Sequence, residues 1–150
     1  MSVISEEELT EIVEVVWMTV LELPISEGEA VELTLSDYLI SQISISGAWQ
    51  GVVTVRASEK FLSHAAGVMF NCHSDDATDM DRSDTLTELT NMLGGTVKCL
   101  LPETCDLSLP TIINSDSADD VDHEWINFSC EGLPLAVAVT EDSAGAQQAA

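Results

Sequence analysis

The sequence predicts an α+β domain: two helix-plus-three-strand units forming a mostly antiparallel sheet, with helices packed on one face. Three observations predict it. Capping signals precede segments whose apolar residues recur at helical spacing. Other segments alternate apolar and polar residues with period two. The order runs helix, three strands, helix, then helix and three strands again. The chain has 150 residues, 45% of them apolar, which suits one core. A single domain over 1–140 is expected, followed by a flexible tail over 141–150.

The first helix is read over 5–21. Ser5 and Glu8 form a capping box, and Leu9, Ile12, Val13, Val16 and Val20 recur on one face. Pro24 lies just past its end. Residues 30–36 alternate, with Val31, Leu33 and Leu35 on one side, as a half-buried strand does. Ile43 and Ile45 mark a second strand near 39–46, and Val53 and Val55 a third. The stretch from Ser46 to Gly51 reads as the turn between those two strands.

Ser58 caps a second helix running to about Phe70. Residues 71–82 are polar and read as a loop. A long helix from about Ser83 to Leu101 stops before Pro102. Its apolar stripe is Leu86, Leu89, Leu93, Val97 and Leu100, expected to face the core. Strands follow at 106–114, 123–131 and 133–140, with Glu131-Gly132 turning between the last two.

Charge excludes several function classes. There are 27 acidic residues against four basic ones, a formal charge of −23. Such a surface repels phosphate backbones and anionic lipids, so no nucleic-acid or membrane partner is expected. No run approaches the ~18 apolar residues of a spanning helix. The acidic start lacks the positive region of a signal peptide, so a cytoplasmic location is expected. Cys72, Cys99, Cys105 and Cys130 form no C-x-x-C pair and read as reduced thiols.

The long helix carries the most chemistry. Asp84, Glu88, Asn91 and Gly95 fall on the face opposite its apolar stripe. Glu88 and Asn91 are one turn apart and point outward side by side. Such residues are ordinarily just solvated. Gly94 and Gly95 are less ordinary, since each glycine inside a helix costs about 1 kcal/mol relative to alanine. A helix carries that cost where something approaches its backbone closely.

This helix resembles the signature of the CheC/CheX/FliY chemotaxis phosphatases, [Asp/Ser]-x3-Glu-x2-Asn followed by small residues. Here the positions are Asp84, Glu88 and Asn91, then Gly94-Gly95. The hairpin from Ser46 to Val53, the helix start Ser58-Glu59-Lys60-Phe61 and the strand from Leu107 to Ile113 resemble the family's corresponding segments. The first helix reads Glu8-Leu9-Thr10-Glu11 with no asparagine following, which is similar to the CheX branch and implies one site per chain.

The resemblance implies a phosphatase for the aspartyl phosphate of a CheY-like receiver domain. Glu88 and Asn91 would be catalytic, and Asp84, Gly94 and Gly95 would contribute to binding. It implies no cofactor of the chain's own, Mg²⁺ being held by the receiver. It also implies a homodimer. The alternative is a non-catalytic receiver-binding or dimeric interaction module of the same fold.

Other clusters carry less. Asp75, Asp76, Asp79, Asp81 and Asp84 lack the central glycine and terminal glutamate of a calcium loop. The acidic run Asp116, Asp119, Asp120 and Asp122 reads the same way. His73 beside Cys72 has no second ligand pair, and His64 and His123 stand alone, so no metal site is expected. Trp17, Trp49 and Trp125 read as core or interface residues.

Overall fold

A computed structural model describes residues 4–28, 37–101, 104–113 and 125–141. Helix α1 spans Glu6–Leu21. Its capping box forms: the Glu8 amide donates to the Ser5 hydroxyl, and the Ser5 amide to the Glu8 carboxylate, both at 3.1 Å. Leu9, Ile12, Val13, Val16, Trp17 and Leu21 are buried along its inner face.

The described residues include seven strands: β1 (Ser26–Glu27), β2 (Tyr38–Gly47), β3 (Gly51–Ser58), β4 (Cys105–Leu107), β5 (Thr111–Ile113), β6 (Ile126–Cys130) and β7 (Leu133–Glu141). They form one sheet in the order β1-β6-β7-β3-β2-β4, with β5 also on β2, and every pairing is antiparallel. The two units are closed by exchange. β1 of the first unit pairs with β6 of the second, and β4 and β5 of the second pair with β2 of the first. The last strands of the units, β3 and β7, meet in the middle.

Register then decides the core. Ile43 lies opposite Val53, Val53 opposite Val139, and Val55 opposite Val137, so one face collects the apolar residues. Both tight turns use left-handed backbone. Gly47 has φ 120° at the end of β2, and Glu131 and Gly132 both have positive φ between β6 and β7.

The segment read as a strand over 30–36 lies outside the described residues, as does the tail beyond Glu141. The strand expected over 106–114 is two short strands. Pro110 has no N–H for a ladder. Before it, Ser108 turns both its groups on Ser44: its amide donates to the Ser44 carbonyl, and its hydroxyl accepts from the Ser44 amide, each at 2.9 Å. Leu109 is thereby pushed out, 84% exposed.

Helix α2 spans Glu59–Phe70, with the Ser58 hydroxyl accepting from the Phe61 amide. Helix α3 spans Asp79–Leu100. It begins earlier than the expected Ser83, because Thr78 and Asp81 form a second capping box. The preceding loop contains a short 3-10 turn at Ser74–Asp76. Leu100 departs from expectation and is 46% exposed. The helix ends there, and the extended Leu101 takes the buried place.

All three helices share one sheet face. α3 lies on β2 and β3, and α2 on β3 and β7. α1 packs against α2 and α3 and joins the same core. Of the four free cysteines, Cys105 and Cys130 are buried. Burial, then the neighbouring Glu131 charge, pushes the Cys130 thiol up to about 11. No helix among the described residues is long and apolar enough to cross a membrane.

Candidate functional site

Helix α3 is held rigidly from behind. Leu86, Leu89, Leu93 and Val97 are fully buried. Thr85 and Thr90 are buried too, and their hydroxyls donate to the carbonyls of Asp81 and Leu86 at 2.7 Å. Arg82 anchors the first turns. It donates from Nη1 to the Ser63 hydroxyl at 3.2 Å and the Ala77 carbonyl at 3.0 Å, and from Nη2 to Asp79. One of four basic residues is thus spent tying α3 to α2, a role with no signal in the sequence.

On the opposite side Asp84, Glu88 and Asn91 are exposed, as their spacing predicts. Among the described residues no hydrogen bond or ion pair engages these three side chains. An outward carboxylate and an outward amide, one turn apart on a stiff helix, are free to enter another molecule's site. Asp84 does not sit at the helix start. Because α3 begins at Asp79, the first-turn charges facing the dipole are Asp79 and Asp81.

The two glycines separate. Gly94 is buried, and a Cβ built there would lie 2.7 Å from Ile43 Cγ2 and 3.3 Å from Leu107 Cδ1. Its absent side chain lets α3 settle on β2. Gly95 is half-exposed, and a Cβ there would meet nothing within 4 Å. The fold needs Gly94 and has no use for Gly95.

Opposite effects on stability follow. Gly94→Ala forces overpacking against a fully buried isoleucine, for which about 1–3 kcal/mol is typical, only partly offset by helix propensity. Gly95→Ala gains propensity alone, about 0.5–1 kcal/mol. Urea denaturation of both variants reads this, and shifts of the same sign would contradict the packing account.

A second outward stripe escapes a reading of the first helix that starts at Glu8. Counted from Glu7, α1 carries Glu7, Glu11 and Glu14 at the spacing of Asp84, Glu88 and Asn91, and all three are exposed. Glu14 stands where α3 has its asparagine. The signal was available in the repeated spacing.

No three His, Cys, Asp or Glu side chains gather in metal-binding geometry among the described residues. The acidic run Asp116, Asp119, Asp120 and Asp122 and His123 lie outside those residues.

Residues 39–128 match the family model described as chemotaxis phosphatase CheX. Among solved structures, the chemotaxis protein CheX from Vibrio vulnificus superposes with a TM-score of 0.73 at 14% identity, covering 91% of this chain and 95% of that one. CheX from Borrelia burgdorferi, crystallised as a CheX–CheY–BeF3–Mg²⁺ complex, gives 0.70 at 16% identity, with 91% and 97% covered. FliY from Thermotoga maritima gives 0.56 at 16% identity, with 99% and 96% covered. These likenesses establish a shared fold. No curated protein matches the sequence.

Proposed function

This chain belongs to the CheX family of chemotaxis phosphatases, and we propose that it hydrolyses the aspartyl phosphate of a CheY-like receiver domain through Glu88 and Asn91. One observation carries the reading: both side chains stand exposed and unengaged on the outer face of α3, inside the matched span. The Borrelia relative crystallised with CheY supports the choice of partner.

The substrate is an acyl phosphate, and its hydrolysis needs an in-line water and charge stabilisation rather than a new covalent intermediate. Water attacks phosphorus as the bond to the receiver's aspartyl oxygen breaks. The products are the free carboxylate and inorganic phosphate. Mg²⁺ held by the receiver neutralises charge on the phosphoryl oxygens. Asn91 enters the receiver's site, where its amide accepts from and donates to neighbours without titrating, and so holds the water in line. Glu88 pairs with the receiver's active-site lysine and sets the register of α3. Gly95, one turn beyond Asn91, leaves room for the receiver's backbone, and Asp84 is a peripheral contact. The same reading takes the chain as a homodimer with one site per protomer.

The test is the decay of a phosphorylated receiver from the same organism, with and without this protein. Accelerated decay is the expected result. Unchanged decay of every cognate receiver, with binding retained, would leave a non-catalytic receiver-binding module.

Charge makes a separate prediction. A chain with formal charge −23 approaches a receiver site that is itself rich in carboxylates. Association should be slow at low salt and quicken as salt screens the repulsion. Stopped-flow mixing across an ionic-strength series measures it. An association rate that falls steeply with added salt would refute the repulsion.

A further inference from the structure

The outward stripe of α3 is too small to hold a receiver alone. From Asp84 to Gly95 it is about 16 Å long on a helix about 10 Å across. A specific complex covers about 800 Å² on each partner. Neighbouring surface must supply the rest, and two helices flank α3.

α1 is the one that fits. It packs against α3. With Glu11 set on Glu88, the two helices share a layout. Leu9, Ile12, Val16 and Val20 take the inward places of Leu86, Leu89, Leu93 and Val97. The outward places hold Glu7, Glu11 and Glu14, and the stripe continues into Val15 and Met18, 61% and 51% exposed. Two large apolar side chains three residues apart form one patch on an otherwise acidic helix. On α2 the exposed apolar residues are Val68 and Phe70. They lie at the end leading into the start of α3, and Asn91 is about 18 Å along α3 from that start.

We infer that the outer face of α1, centred on Val15 and Met18 with Glu11 and Glu14 around them, is the second half of the receiver-docking surface. The inference rests on the function proposed above and assigns this face affinity without catalysis. Its apolar pair takes an apolar patch beside the receiver's active site, and its carboxylates add to the repulsion that salt screens. Catalysis is withheld because Glu14 puts a carboxylate where α3 has an amide. A negative group there repels a phosphoryl group and cannot donate a hydrogen bond.

The experiment titrates a beryllofluoride–Mg²⁺-loaded receiver and, in parallel, follows decay of the phosphorylated receiver at rising concentrations of the chain. The variants are Val15→Glu/Met18→Glu, the milder Met18→Ser, and the control Val68→Glu/Phe70→Glu, each checked for a native melting profile. The α1 double variant should raise both the dissociation constant and the half-saturating concentration about tenfold or more. Its decay rate at saturation should stay within about twofold of wild type, since no group at the reacting atoms has changed. Met18→Ser should shift affinity in the same direction, and the control should shift nothing.

Unchanged affinity in the α1 variants overturns the inference, as does an equal loss in the control. So does a change in sedimentation coefficient without loss of receiver affinity, which would give the face to a second copy of this chain. Wild type that binds the loaded receiver without speeding decay ends the phosphatase reading and leaves the docking surface under test. Wild type that does not bind ends both.

Discussion

Asn91→Ala is expected to lower the saturating rate of receiver dephosphorylation about a hundredfold while leaving the affinity for a loaded receiver within about twofold. The structure supplies the reason for the split. Asn91 is exposed on a helix whose inner face is fully buried, so truncation leaves the backbone and the docking face in place. What disappears is the amide to which the proposed mechanism gives the orientation of the water. Positioning of this kind accounts for several kcal/mol of barrier lowering, which corresponds to a factor of a hundred or more. Glu88→Ala should behave in the opposite way, raising the half-saturating concentration more than it lowers the saturating rate. Single-turnover decay at several protein concentrations separates the two. Full activity in Asn91→Ala would remove the asparagine from the mechanism.

The largest loss of stability is expected at Trp17. Its side chain is fully buried and stacks on Phe61, ring centroids 6.0 Å apart and planes 20° from parallel. In the shared layout of the two helices it occupies the place of Gly94. α3 has no side chain there and descends on to Ile43, whereas α1 fills the place with an indole. Trp17→Ala empties a space that α1 cannot close while it also packs on α2 and α3. Truncations of this type cost about 3–5 kcal/mol, a large part of the ~5–15 kcal/mol that holds a domain together.

Trp17→Phe should cost much less. The indole Nε1 is buried without a hydrogen-bond partner among the described residues. Removing that unsatisfied group offsets part of the lost volume. Urea midpoints for the two variants test the account. A loss below about 1 kcal/mol for the alanine variant would mean that the helix layer repacks freely.

Local chemistry made much of this molecule legible. The capping boxes, the alternation in β2 and β3, and the glycine turns are satisfied within a few residues of chain, so their signals lie in short windows. Ser5 with Glu8 marked the start of α1 in this way. Thr78 with Asp81 marks α3 by the same device, but the aspartates around it read equally as a polar loop. The outward placement of Glu88 and Asn91 follows from helical spacing alone, given that Leu86, Leu89 and Leu93 must be inside.

What the sequence by itself determined, then, is the three helices, the strands β2, β3, β6 and β7, and the family signature on α3. Tertiary structure decided the rest, because it depends on contacts between residues far apart in the chain. Exchange of β1 and β4 between the two units is set by register across the sheet, which no local pattern encodes. The difference between Gly94 and Gly95 exists only because Ile43 lies beneath one of them. The acidic and apolar face of α1 belongs with the site only because the fold lays α1 against α3. Periodicity assigns each residue a side of its own helix, and only packing decides what lies on that side.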